Sequence, residues 1–301
     1  MLWWADDHPV VTDPALAPFR EAAEGLVSRP GRVTLLRHLA GRRATSMVTT
    51  ADGEQTVLKV FASPRARGNH RRLSALADAL GPLVPTSHGI DPTGHASLLG
   101  WQPGVALDEL DDAAFVAAAE PAGAALGALH RCGAELDRSW HLDREVEQLV
   151  RRATARTADD IERLLGSGRF HHLGTESSVP SHRDMHPRQI VVDGAEVAFI
   201  DLDDATSAPA GLDVGNFVAH LRREGALGRR DLVVVDAAVD AFLGGYGDLP
   251  PTWADWCELS LWRLVGLAES RHGRSDWAVA IASLIAPARA RPRSVRAGVR
   301  S

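Results

Sequence analysis

Residues 181–204 read SHRDMHPRQIVVDGAEVAFIDLDD, and this stretch decides the fold. Residues 190–192 and 197–200 are apolar runs joined by Asp193-Gly194, a good hairpin signal. Pairing of the two runs about Ala195 sets Gln189 opposite Asp201 at the open end, with Asp184 on the preceding loop. A carboxylate beside an amide oxygen suits a hard divalent cation such as Mg²⁺. A separate carboxylate nearby can accept a hydroxyl proton. One base plus a metal clamp is the kit that phosphoryl transfer needs. His182 and His186 alternate with Asp184, but no third cluster is spaced to complete a tetrahedral zinc site. Two hydrogen-bonded loop histidines are the simpler reading, and a zinc hydrolase built on them is the weaker one.

Working outward, residues 33–61 alternate β-like runs with turn signals at Gly41-Arg42-Arg43 and Asp52-Gly53, which predicts a three-strand meander. Residues 13–28 read as a helix, as do residues 69–80, and two further strands are expected at 87–90 and 96–101. Trp101-Gln102-Pro103-Gly104 breaks the pattern. Beyond it the composition turns helical, at 113–132, 143–165, 231–243, 253–271 and 277–286. The expected α+β architecture is bilobal: a small β-rich N-lobe over 1–102 and a larger, mostly helical C-lobe over 103–301, of which about 287–301 reads as a disordered tail.

Of the 33 basic residues 32 are arginine, and Lys59 is the single lysine. It lies in the strand-like run TVLKVF. An ammonium is a compact point charge where a guanidinium is a wide fork, so a phosphate pocket can demand the former. The chain has a net charge of −6, and residues 103–286 carry 17 basic against 30 acidic residues. Such a balance disfavours nucleic acid and leans towards a cationic ligand. Neither the N-terminus nor the two cysteines, Cys132 and Cys257, shows a signal-peptide or metal-ligand pattern. No apolar run approaches the roughly 20 residues of a membrane span. The expectation is a reduced, cytoplasmic chain without membrane partner.

HRDMHPRQIVVDG…VAFIDLDDA resembles the HGDLHPGNILVDG…IDWDDA signature of the aminoglycoside phosphotransferase/choline kinase superfamily, which has a protein-kinase-like fold. TVLKVF, LLGWQPG, LGALHRCG and GLDVGNF resemble, in order, that family's phosphate-binding strand, inter-lobe hinge, C-lobe helix signature and the segment after the metal site. The resemblance implies an ATP- and Mg²⁺-dependent kinase acting on a hydroxyl of a small polar molecule. It assigns Asp184 as catalytic base, Asp201 and Gln189 as Mg²⁺ ligands, and Lys59 to the ATP phosphates. Gly41, Arg42, Arg43 and Ala44, extending to Thr45, would form the phosphate-covering loop, and the backbone of Gly100, Trp101 and Gln102 would border the adenine. His182 would brace the catalytic loop from one side and Asp213 from the other. His130 reads as helix packing.

Two departures qualify the resemblance. Gln189 replaces the usual asparagine, as in maltokinase-like members, which leans towards a sugar acceptor. Residues 63–77 contain no acid to pair with Lys59, and instead carry Arg65, Arg67, Arg71 and Arg72. Either another carboxylate, with Asp201 the nearest, holds Lys59, or nucleotide alone orders it. The arginines are then solvated surface or phosphate ligands. The missing glutamate also supports an alternative, a non-catalytic nucleotide-binding relative.

Overall fold

The computed structural model describes residues 2–154 and 157–285, so the expected tail at 287–301 lies outside the described residues. The chain forms two lobes, as the sequence predicts. In the N-lobe, β1 (Leu2–Trp3), two short helices α1 (Pro9–Thr12) and α2 (Arg20–Gly25), β2 (Gly31–Leu39), β3 (Arg43–Thr50) and β4 (Gln55–Phe61) come first. Then follow α3 (Ala66–Leu80), β5 (Ser87–Ile90) and β6 (Ala96–Gly100). The six strands form one sheet in the order β1-β2-β3-β4-β6-β5, antiparallel except at β1. The helix expected over 13–28 is shorter than its pattern, because Pro14 and Pro18 break the register before Arg20. Along β3 the buried residues alternate, and Ala44 and Val48 join Leu58, Val60 and Ala96 in a small core beneath the short helices.

The C-lobe holds β7 (Val105–Ala106), α4 (Asp112–Arg131), α5 (Leu142–Arg152), α6 (Ala158–Gly166), β8 (Ser178–Ser181), β9 (Ile190–Asp193), β10 (Glu196–Phe199) and β11 (Thr206–Pro209). Four helices close it: α7 (Ala210–Ala226), α8 (Leu232–Tyr246), α9 (Trp253–His272) and α10 (Ser275–Ala282). The single helix expected over 143–165 is two, α5 and α6, with α5 ending at Arg152. β8 pairs with β11 and β9 with β10, so both loops of the opening stretch spring from paired strand ends. One helix, α4, is long and apolar enough to cross a membrane by length and composition, contrary to expectation. In the fold its buried residues, such as Phe115, Leu126 and Leu129, join the large C-lobe core.

α4 and α8 approach so closely that side chains are excluded where they touch. A methyl group on Gly245 would overlap the Glu120 carbonyl, and one on Gly123 would overlap the carbonyl of Phe242. Gly244, next along the helix, has nothing within 4 Å of such a methyl group. Gly245→Ala is therefore expected to cost about 1–3 kcal/mol through overpacking. Gly244→Ala is expected to gain up to about 1 kcal/mol from helix propensity. Urea unfolding of both variants checks the pair, and equal midpoints would contradict the close backbone contact.

Candidate active site

Lys59 lies on β4 between Leu58 and Val60, which point into the small N-lobe core. The strand's period of two therefore turns Lys59 to the opposite face, towards the C-lobe. There it is 4% exposed. A buried ammonium needs counter-charge, and two carboxylates supply it. Lys59 Nζ donates to Asp201 Oδ1 and to Asp203 Oδ1, each at 2.8 Å. Arg43, from the start of β3, donates to the same pair, at 2.9 Å to Asp201 Oδ2 and 2.6 Å to Asp203 Oδ2. The result is a cage of two cations and two anions between the lobes. Burial opposes the charge on Asp201, but Lys59 and Arg43 outweigh it and hold its carboxyl well below the usual carboxylate range. Lys59 is likewise held above its ordinary value, against the effect of burial, by Asp201 and Asp203. Burial pushes Asp203 up, and the Asp201 charge adds to that against the pull of Lys59.

The place of the missing α3 glutamate is thus taken by Asp201, the residue anticipated, and by Asp203, which was not. Of the α3 arginines and the one that precedes the helix, Arg65, Arg67 and Arg71 are exposed, as the surface reading expects, and Arg72 is buried. Arg71 and Arg72 bind Asp137, with contacts of 2.6 and 3.0 Å, and Arg72 also reaches the Asp203 carbonyl. Arg65 lies 3.3 Å from Asp204. These contacts clamp α3 onto the C-lobe.

The hairpin carries Gln189 and Asp201, in a register one residue from that expected. Val197 pairs with Val192 and Phe199 with Ile190, which sets Gln189 opposite Ile200, whose N–H it accepts at 2.9 Å. The shift arises because Gly194-Ala195 is a two-residue turn, with Gly194 at φ 60°. Asp201 falls just past the ladder, in left-handed geometry at φ 57°, and this turn aims its carboxylate at Lys59. Gln189 is buried, with Nε2 3.3 Å from His186 Nε2.

Asp184 sits half-exposed on the loop after β8, with Oδ2 3.9 Å from His186 Nε2. Its loop backbone is held by side chains of α7. The fully buried Asp213 accepts the N–H of His182 at 2.6 Å and that of Arg183 at 2.7 Å. Asn216 donates to the Met185 carbonyl at 2.7 Å. His182 Nε2 donates to the Ile200 carbonyl at 2.9 Å, tying this loop to the Asp201 turn. His130 is more than helix packing: its ring bridges Tyr246 Oη, at 2.8 Å, and Asp213 Oδ2, at 3.3 Å. Asn216 escaped the sequence reading, although its spacing of three from Asp213 puts both on one helix face. Arg183 also stands in left-handed geometry, at φ 70°, where an arginine is strained by about 1–2 kcal/mol. The two bonds to Asp213, from the N–H groups of Arg183 and the residue before it, hold it there.

One cleft of about 1340 Å³ collects these groups. Lys59, Asp184, Gln189 and Asp201 line it, as do Gly100, Trp101 and Gln102. Val57, Leu99, Val191 and Ile200 supply apolar surface at the hinge. Gly41, Arg42 and Arg43 border it too, but the expected loop is only a tight turn: Ala44 and Thr45 belong to β3, and Ala44 is buried in the N-lobe core. His182 is buried behind the cleft. Among the described residues no group of three or more His, Cys, Asp or Glu is arranged to hold a metal. His182 Nε2 is engaged by the Ile200 carbonyl, as the reading of a hydrogen-bonded loop histidine expects.

Solved structures share this fold. An amicoumacin kinase in complex with AMP-PNP, Ca²⁺ and Ami is 16% identical, with a TM-score of 0.63 over 86% of each chain. An aminoglycoside phosphotransferase from Streptomyces rimosus is 18% identical, with a TM-score of 0.60 over 78% of this chain and 92% of its own. A choline/ethanolamine kinase family protein from Mesorhizobium loti is 14% identical, with a TM-score of 0.60 over 94% and 92%. Among curated proteins no sequence matches at a significant level. The sequence pattern of the phosphotransferase enzyme family matches residues 34–259, three quarters of the chain, and the chain belongs to that family.

Proposed function

We propose that the protein is a kinase that moves the γ-phosphoryl group of ATP to a hydroxyl of a small polar molecule. The observation that carries this reading is the convergence of Asp184, Gln189, Asp201 and Lys59 on one cleft beside an apolar slot at the hinge. The absence of an acid over residues 63–77, which favoured a non-catalytic relative, loses its weight because Asp201 and Asp203 hold Lys59 instead. With ATP as donor and both cysteines unpaired, the reaction belongs in the cytoplasm.

Asp201 and Gln189 would hold Mg²⁺. Their carboxylate and amide oxygens are the hard donors it prefers, and the Asp201 carboxylate already attracts two side-chain cations. When bound, the ion neutralises charge on the phosphates. The chain's own residues do the rest. Lys59 and Arg43 present positive charge to the phosphates, which compete with Asp201 and Asp203 for them. The slot of Val57, Leu99, Val191 and Ile200 takes the base, with the backbone of residues 100–102 at its edge. Asp184 receives the acceptor's proton as the new P–O bond forms and the bond to the β-phosphate oxygen breaks, releasing ADP. The bonds from Asp213 and Asn216 keep Asp184 in place, so little reorganisation accompanies the step.

Asp184→Asn is expected to lower turnover by about 10²–10⁴ and to leave MgATP binding intact. Single-turnover kinetics with a nucleotide titration checks this, and a variant within a few-fold of wild type would remove Asp184 from the role. Asp201→Ala is expected to lose more activity than Gln189→Ala, because only the carboxylate neutralises the cation. Raised Mg²⁺ should partly restore Gln189→Ala and hardly restore Asp201→Ala. Equal losses that do not respond to Mg²⁺ would contradict both assignments.

A further inference from the structure

The turn between β2 and β3 is pinned from outside the cleft. Arg37, Leu39, Gly41, Arg42 and Arg43 line the cleft, whereas among the described residues His38 and Asp13 do not. The alternation of β2 explains the split: Arg37 and Leu39 face the cleft, so His38 between them faces away. There it meets the segment that precedes β2. Asp13 Oδ2 lies 2.9 Å from His38 Nε2 and accepts the N–H of Gly41 at 2.8 Å. Asp13 Oδ1 accepts the N–H of Ala15 at 2.9 Å, and the Asp13 carbonyl accepts those of Leu16 and Ala17. One carboxylate thus joins the chain after α1 to the tip of the turn.

Asp13 is itself firmly placed. Val10 and Leu16, on either side of it, are buried in the small N-lobe core with Ala44, Val48, Leu58 and Val60. His8 Nε2 lies 3.0 Å from Ser46 Oγ, and both residues are buried. Asp13 therefore reaches the turn from the face of the sheet opposite Lys59. Hydrogen bonds hold its carboxyl below the usual carboxylate range, that from Gly41 first, then those from His38 and Ala15. The tip needs such a hold. Gly41 stands at φ 66°, a conformation that glycine enters and leaves freely. The next residue is fixed on both sides, since Arg42 donates to the Leu39 carbonyl and accepts from the Ala62 N–H, each at 2.9 Å. Asp13 supplies the bond at Gly41. The strands that meet at the tip carry Arg37 and Arg43, whose guanidinium groups lie 4.0 and 2.9 Å from Asp201 Oδ2. The position of the tip sets where both side chains start from.

We infer that Asp13 is a positioning residue for nucleotide binding: it holds the β2–β3 tip in its place at the phosphate end of the cleft before the nucleotide arrives. This rests on the proposed kinase activity and extends it to a residue of the N-terminal segment that does not touch the nucleotide. A tip ordered in advance loses little freedom when phosphates bind against it, whereas a loose tip must be ordered at the expense of affinity. A charged acceptor makes one of the stronger hydrogen bonds open to a backbone N–H, so one carboxylate is enough for the purpose. The sign of the effect is diagnostic. A carboxylate that acted on the phosphates only through its charge would repel them, and its removal would tighten binding. A carboxylate that positions the tip strengthens binding, and its removal weakens it.

The test is a calorimetric titration of the full chain with AMP-PNP in the presence of Mg²⁺. Asp13→Ala is expected to weaken binding about tenfold, and Asp13→Asn, which keeps an oxygen for the Gly41 N–H, by no more than about threefold. Ser46→Ala cuts the contact with His8 further along β3 and should leave AMP-PNP affinity within about twofold, since it does not touch the tip. Hydrogen exchange gives a second measurement. In the nucleotide-free protein the Gly41 amide should exchange about tenfold faster in Asp13→Ala than in wild type, and at the wild-type rate in Ser46→Ala. Unchanged or tighter binding by Asp13→Ala, an equal loss in Ser46→Ala, or a wild-type Gly41 amide that exchanges freely until nucleotide is added would overturn the inference. The last of these needs no variant, so it decides the matter even where Asp13→Ala does not fold. Failure of the wild-type protein to bind AMP-PNP would instead overturn the kinase reading.

Discussion

A buried lysine cannot stand without counter-charge, and the junction of the two lobes is built around that constraint. Lys59 has lost nearly all contact with water, so Asp201 and Asp203 must reach it from the C-lobe, and Arg43 completes the balance. Such a cage contributes little net stability, because desolvation of four charges offsets their attraction. Breaking it is another matter: removal of one partner leaves a buried charge uncompensated, at about 3–5 kcal/mol. The cage therefore acts as a register, fixing how β3 and β4 sit over the turn that carries Asp201. The arginines of α3 repeat this at the surface, with Asp137 and Asp204 as their partners.

The second constraint is the backbone around Asp184 and Asp201. Each loop contains a residue other than glycine in left-handed geometry, Arg183 and Asp201 themselves. Asp213 offsets the first by accepting two adjacent N–H groups, and His130 and Tyr246 hold Asp213 in turn. His182 joins the two loops through the Ile200 carbonyl. The loops of Asp184 and Asp201 thus belong to one hydrogen-bonded unit resting on α7. The close contact of α4 with α8 supports that unit from behind, because His130 lies on α4 and Tyr246 on α8.

Charge is distributed on two scales that point in opposite directions. Residues 103–286 are acidic in sum, whereas the cleft is lined by arginines of α5, α7, α9 and the loop after β8, several of them ion-paired. Long-range charge governs encounter, and it is screened over roughly 10 Å at ordinary salt.

The linear sequence determined the two lobes, the meander ending on Lys59, the hairpin after the catalytic loop and most of the long helices, because each rests on local periodicity or turn chemistry. It also marked Asp184, Gln189, Asp201 and Lys59, since these lie on motifs short enough to be read whole. Tertiary structure alone decided which charges meet. Lys59 and Asp201 are 142 residues apart, and Arg43 and Asp203 160 apart, a separation that no local pattern can express. The turn geometry moved the hairpin by one residue, placing Asp201 beyond the ladder instead of opposite Gln189. The acidic composition of residues 103–286 did not show that the cleft wall itself carries arginines. Composition sums charge over a whole lobe, whereas packing chooses which few side chains face the site.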